Sequence, residues 1–169
     1  MPEFLDEIEA CVPALRRYAR ALTHNVDRAD DLVQDCIERA LRKHRLFRPR
    51  GPLRPWLFKI LLNLFRNQHR HDKRHAPPLP LEGLIAEPAQ PAPQPGRLAL
   101  AEMARALQQL PDDQRAALLL IVLEGFSYSE AAELLGVPMG TLMSRLARAR
   151  AALRVLTDTP GEPRLRSVK

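Results

Sequence analysis

The sequence predicts an all-α protein of two small helical domains joined by a proline-rich linker, on three observations. Apolar residues recur every three to four positions through two blocks of the chain. No run of alternating β-branched residues bounded by hairpin turns occurs anywhere in the 169 residues. Seven of the 16 prolines fall between His75 and Gly96, in HAPPLPLEGLIAEPAQPAPQPG. Proline lacks the amide donor and blocks helix interiors, so that stretch reads as an extended, stiff connection between two helical bodies. The expected organisation is a first domain over 1–75, a linker over 76–96, a second domain over 97–156 and a frayed tail over 157–169.

In the first block, Phe4, Leu5, Ile8, Val12, Leu15, Ala19 and Leu22 mark an amphipathic helix near 3–23, with Pro13 as a point of kinking or breakage. Asp27 is placed to cap a second helix whose buried stripe is Val33, Cys36, Ile37, Ala40 and Leu41. Cys36 then reads as a small core residue. Arg48-Pro49-Arg50-Gly51-Pro52 is a turn, and Pro55 suits the first turn of a third helix near 54–71. That helix is apolar nearly all round as far as Phe65 and then strongly polar; its Trp56 reads as a core anchor. In the second block Leu98, Ala101, Ala104 and Leu107 share one side of a helix, and Leu110-Pro111-Asp112 restarts a helix carrying the apolar run Ala116–Leu123. Gly125-Phe126-Ser127 interrupts the pattern, and short helices follow over Ser129–Leu135 and from about Gly140 to Leu156.

Composition excludes several classes. The longest apolar run, Ala116–Leu123, falls far short of the roughly 18 residues of a membrane span. The acidic start MPEFLDEIEA has no apolar signal core, which predicts a cytoplasmic protein. Two cysteines cannot make a disulfide framework, and no CxxC pair suggests zinc. The net charge of +6 conceals a segregation. Residues 1–38 carry four basic and nine acidic side chains, a net −5, whereas residues 39–75 carry twelve basic and one acidic, a net +11. A merely soluble surface mixes both signs; a field of one sign concentrates polyanions, so nucleic acid is the leading partner of the middle segment.

Three patterns carry the function. Ser127 to Arg154, SYSEAAELLGVPMGTLMSRLARARAALR, reads as a helix-turn-helix in which Gly136 takes the turn. Its second helix turns Leu142, Leu146, Ala149 and Leu153 inward, leaving Thr141, Ser144, Arg145 and Arg148 outward as donors for a major groove; a basic helical hairpin of no special purpose is the competing reading. On the second helix of the chain, Asp31, Gln34, Asp35 and Glu38 fall at i, i+3, i+4 and i+7. A stripe of that sign repels DNA, so it is either a solvated face or a dock for a basic protein surface. On the third helix Lys59, Asn63, Arg66, Asn67 and Arg70 share a polar side that can hold single-stranded DNA through phosphates and base edges. The HxHxxxH of His69, His71 and His75 has cationic flanks and no carboxylate beyond Asp72, so no metal or other cofactor is expected, and no Ser/His/Asp set, phosphate-cradling loop or apolar carboxylate pair makes a case for an enzyme.

These three patterns, in this order and around such a linker, resemble the extracytoplasmic-function sigma factors of bacterial RNA polymerase. Asp30-Asp31-Leu32-Val33-Gln34-Asp35 resembles region 2.2, and Trp56-Leu57-x-x-Ile60-x-x-Asn63 resembles regions 2.3–2.4. The stretch from Phe126 through Ser127, Tyr128, Glu130, Gly136, Pro138, Thr141 and Ser144 to Arg150 resembles region 4.2. The resemblance spans about 4–75 and 97–156 and selects docking as the role of the acidic stripe.

It implies that Asp31, Gln34, Asp35 and Glu38 contact the core polymerase, and that Arg50, Arg54, Lys59, Asn63, Arg66, Asn67 and Arg70 capture the melted minus-ten strand with one base flipped out. Thr141, Ser144, Arg145 and Arg148 would meet the minus-thirty-five duplex, with Ser127 and Tyr128 near its phosphates. It also implies an anti-sigma partner and no chemistry by the chain itself. A sigma-like mimic that sequesters an anti-sigma factor without touching DNA is the alternative; a lone helix-turn-helix repressor would leave the acidic stripe unexplained. Met143 stands where the family commonly has Lys before Ser-Arg, which removes one phosphate contact.

Overall fold

The computed structural model describes residues 2–46, 51–75 and 95–157, and among these every regular element is helical. The elements are α1 (Pro2–Thr23), α2 (Val26–Arg42), a short 3-10 turn (His44–Leu46), α3 (Leu53–His75), α4 (Pro95–Gln109), α5 (Asp112–Val122), α6 (Tyr128–Leu135) and α7 (Met139–Thr157). The all-α, two-body expectation holds. Arg48 to Arg50 of the expected turn, most of the linker and nearly all of the tail lie outside the described residues.

α1 runs unbroken through Pro13. A mid-helix proline costs about 3 kcal/mol, and the stripe of Ile8, Leu15, Tyr18, Ala19 and Leu22, each almost fully buried, offsets it. His24 adopts a left-handed φ of 54° to end that helix. Asn25, and not Asp27, caps α2: its side chain accepts from the Arg28 amide at 2.9 Å. Asp27 sits in the first turn instead, where its charge complements the helix dipole. The buried stripe of α2 is Ala29, Leu32, Val33, Cys36 and Ala40, while Leu41 points to solvent. The Cys36 thiol donates to the Leu57 carbonyl at 3.4 Å, and burial pushes its pKa up to about 12, which keeps it protonated and inert.

α3 extends to His75, four residues beyond the expected end. Leu57, Phe58, Leu61 and Leu62 are fully buried, and Trp56 packs on the edge of the core beside Phe4. α4 is the helix expected, but its apolar side is little covered. Leu98 is exposed, as are Ala101 and Ala104; Ala106 is buried, Leu107 is half-buried against the core, and Leu110 just beyond the helix is buried. The apolar run of α5 is buried from Ala116 to Leu120, but Val122 is 71% exposed. Arg115 enters that core by donating to the carbonyls of Gln108 at 3.2 Å and Leu110 at 3.1 Å, which satisfies the end of α4.

The α6–α7 turn is fixed by its backbone. The Val137 amide donates to the Ala132 carbonyl and the Gly136 amide to that of Glu133, a paired C-cap that requires the left-handed φ of 63° found at Gly136. A Cβ there would meet no atom within 4 Å, so only the backbone conformation resists a side chain. Gly136→Ala should therefore cost about 1–2 kcal/mol and lower the thermal midpoint by several degrees, which a circular dichroism melt would read.

The two bodies share one continuous core. α1 packs on α5 and α3 on α6, and Phe58 of α3 meets Phe126, just before α6, edge to face at 5.1 Å. The Tyr18 hydroxyl crosses the seam to donate to the Ala116 carbonyl at 3.0 Å.

Candidate functional site

The acidic stripe of α2 is presented as expected. Because Leu32, Val33 and Cys36 turn inward, Asp31, Gln34, Asp35 and Glu38 are all exposed on the opposite side. They are not equally available. Glu38 accepts from Arg42 at 3.1 Å and from Gln34 at 3.3 Å, whereas Asp35 has one long contact, from Gln68 at 3.4 Å. Asp31 and Asp35 thus carry the least-compensated charge of the stripe.

On α3 the expected residues separate into two groups. Lys59, Asn63, Asn67 and Arg70 are exposed. Arg54 and Arg66 are partly buried and already engaged by the second body. Arg54 reaches the Glu124 carboxylate at 2.7 Å and its carbonyl at 2.8 Å, and stacks over Phe126 at 4.4 Å. Arg66 donates to the Leu135 carbonyl at 2.8 Å, at the electronegative end of α6. Its pKa is lowered, first by burial and then by the nearby Arg145. Arg50 lies outside the described residues. Of the histidines once weighed for metal, His69 pairs with Asp112 at 2.6 Å.

On α7, Thr141, Ser144, Arg145 and Arg148 line one concavity with Asp113, Gln114 and Gly140. Leu142, Leu146 and Ala149, buried behind them, set this outward phase. Arg145 is held at 3.5 Å from Asp113 and keeps one buried guanidinium nitrogen without a hydrogen-bond partner. Ser127 and Tyr128 stand at the start of α6 and are also bonded within the body. The Ser127 hydroxyl accepts from the Glu130 amide while the Glu130 side chain accepts from the Ser127 amide, a reciprocal cap on α6. The bond from the Ser127 amide, and after it one from the Ser127 side chain, hold the Glu130 carboxyl below the usual range. The Tyr128 hydroxyl accepts from Arg150 at 3.2 Å. Met143 is exposed beside the row of outward residues.

Sequence reasoning missed the residues that join the two bodies, above all Arg17 and Glu124. One signal was present: Glu124 is a lone acid directly after eight apolar residues and before Gly125.

A helix-turn-helix with a polar outer face, beside a three-helix body with one acidic and one basic face, is the architecture of a transcription protein that meets both DNA and another protein. The family models for the Sigma2 domain of PhyR and for Sigma-70, region 4 match residues 8–62 and 100–153 respectively. The ECF RNA polymerase sigma factor EcfG of Rhodopseudomonas palustris (strain TIE-1) is 43% identical over 157 residues, covering 92% of this chain and 86% of that protein. The sigma factor RpoE of Bartonella quintana, solved in complex with the anti-sigma factor NepR, superposes with a TM-score of 0.77 at 36% identity, over 94% of this chain and 100% of that one. PhyR of the same organism, an anti-anti-sigma factor solved with NepR, shares the fold at a TM-score of 0.62 and 19% identity, over 91% of this chain and 50% of that one. The chain belongs to the extracytoplasmic-function sigma factors of RNA polymerase.

Proposed function

We propose that the chain brings core polymerase to promoters through three surfaces, each supplied by a different helix, and performs no chemistry itself. α2 docks the core enzyme through Asp31, Gln34, Asp35 and Glu38. α3 holds the opened minus-ten strand through Arg54, Lys59, Asn63, Arg66, Asn67 and Arg70, together with Arg50 from the preceding turn. α7 reads the minus-thirty-five duplex through Thr141, Ser144, Arg145 and Arg148, with Ser127 and Tyr128 near its phosphates. The observation that carries this assignment is the separation of sign: the Asp31, Gln34, Asp35 and Glu38 stripe of α2 exposes carboxylates and no cation, whereas the polar side of α3 exposes cations and amides. Carboxylates are repelled by DNA, so the acidic face is left for protein. The domain limits fit the same division, with docking and minus-ten capture before the linker and duplex reading after it.

Regulation by an anti-sigma protein is part of the proposal and is supported by the likeness to RpoE, which was captured with NepR. The site of action is the cytoplasm, where RNA polymerase works. One observation favours a second reading, a mimic that binds an anti-sigma factor without touching DNA: the model matching the first half is that of PhyR. Against it stand the net +11 of residues 39–75 and the outward arginines of α7, which a mimic does not need.

Reconstitution with core polymerase separates the two. A sigma factor assembles with the core and yields transcripts whose start sites depend on it; a mimic yields none, even without inhibitor. Assembly without specific start sites would refute the promoter reading.

A further inference from the structure

The seam between the two bodies is tied by a buried anion. Glu124 follows α5 at the turn through Gly125, and its side chain is 0% exposed. Arg17 of α1 grips it with two bonds, Nε to Oε1 at 3.1 Å and Nη2 to Oε2 at 2.9 Å. Arg54 of α3 adds a third at 2.7 Å and a fourth to the Glu124 carbonyl at 2.8 Å. The Arg54 guanidinium lies between Phe126 at 4.4 Å and Phe58 at 5.2 Å, so the pair sits in an apolar setting where screening by salt is weak. Along the same seam Arg66 bonds the Leu135 carbonyl and His69 bonds Asp112.

We infer that Glu124 is an intramolecular latch that holds the helix-turn-helix body against α3 and keeps Arg54 and Arg66 from single-stranded DNA until the seam opens. The inference rests on the assignment of those two arginines to the minus-ten strand. A guanidinium has a fixed set of donors, and those aimed at Glu124 and Leu135 are not aimed at phosphate. The latch is selective. Asp31, Gln34, Asp35 and Glu38 remain exposed while it is shut, as do Thr141 and Arg148. The closed chain therefore still offers its polymerase-docking face and withholds part of its strand-reading face. Opening leaves a carboxylate that no longer needs burial and returns two arginines to the α3 face in one step, so release of the body and readiness for DNA are coupled.

The test uses the full chain and its Glu124→Gln variant, which keeps the side-chain shape and removes the charge. Small-angle scattering reads the separation of the two bodies, and fluorescence anisotropy reads binding of a fluorescein-labelled single-stranded oligonucleotide of mixed sequence. The variant should show a larger radius of gyration and bind the oligonucleotide at least about five-fold more tightly, the low end of a usual coupling between sites. An unchanged scattering curve, with helicity intact, overturns the latch. Opening without tighter binding overturns the occlusion. If Glu124→Gln does not fold, Arg17→Ala decides the question: it removes the bidentate partner, whose side chain is half exposed and has no assigned DNA contact. It too should expand the chain, and a compact Arg17→Ala chain counts against the latch. Adding Arg54→Ala and Arg66→Ala to the open variant separates the two claims. If the expanded chain binds the oligonucleotide equally well without them, the minus-ten assignment falls while the latch as a conformational tie stands.

Discussion

Replacing Asp31 and Asp35 together by Arg is expected to abolish co-purification with core polymerase, a loss of at least about 100-fold, with the fold intact. Both carboxylates are exposed, lie one turn apart on α2 and have little internal compensation, Asp35 accepting one long bond from Gln68 at 3.4 Å. The residues that hold α2 in place, Leu32, Val33 and Cys36, face the other way and are untouched. Exposed substitutions of this kind usually change stability by about 0.5 kcal/mol or less. At an interface, reversing two charges turns attraction into like-charge contact, which costs several kcal/mol. Glu38→Arg should be milder, because Arg42 and Gln34 already occupy that carboxylate. A pull-down against core enzyme, beside a circular dichroism spectrum, checks the set; undiminished recovery of the double variant would remove α2 as the dock.

What the sequence made legible tracks how local each determinant is. The inward phases of α2, α6 and α7 follow from apolar spacing, and Leu142, Leu146 and Ala149 are buried as that spacing requires. The turn at Gly136 was legible because a paired helix cap needs a left-handed residue there. The cap of α2 was misplaced by two residues because Asn and Asp serve equally well at an N-cap, and only geometry selects Asn25. α4 was legible as a helix but not in its surroundings: Leu98, Leu100 and Met103 stay exposed, since periodicity specifies a stripe and not what covers it. Pro13 was overread, because burial on both sides of it outweighs the missing hydrogen bond.

The candidate site divides along the same line. Exposure of the acidic stripe and of Thr141 and Arg148 could be read from helix phase alone. The engagement of Arg54 and Arg66 could not, since their partners Glu124 and Leu135 lie 70 and 69 positions away. Charge counting assigns such arginines to phosphate by default; the seam gives them protein acceptors. Arg17 shows the converse: a basic residue in an acidic segment that finds its partner 107 positions along.

Arg145→Ala is expected to weaken binding of the upstream duplex by about 1–3 kcal/mol, or roughly 10- to 100-fold. The place of Arg145 on α7 suits the proposed role of a reader. It lines one concavity with Thr141, Ser144 and Arg148 of α7, while Leu142 and Leu146 of the same helix are buried. Its one ion pair, to Asp113 at 3.5 Å, is long and its acceptor is mostly exposed, so giving it up costs little. A guanine edge accepts two parallel bonds from a guanidinium, so giving up the Asp113 pair leaves this side chain a base edge to meet. Base reading and phosphate contact predict different patterns. A reader loses affinity for its preferred sequence and, with it, discrimination at one base pair, while the salt dependence hardly moves. A phosphate contact weakens all sequences alike and reduces the slope of log affinity against log salt by about one. Arg148→Ala, fully outward on the same helix, should follow the second pattern. Anisotropy titrations of a duplex series with single base-pair changes, repeated at three salt concentrations, resolve the two. A uniform loss for Arg145→Ala would move the reading of the bases to Thr141 and Ser144, the remaining polar side chains of that concavity on α7 besides Arg148.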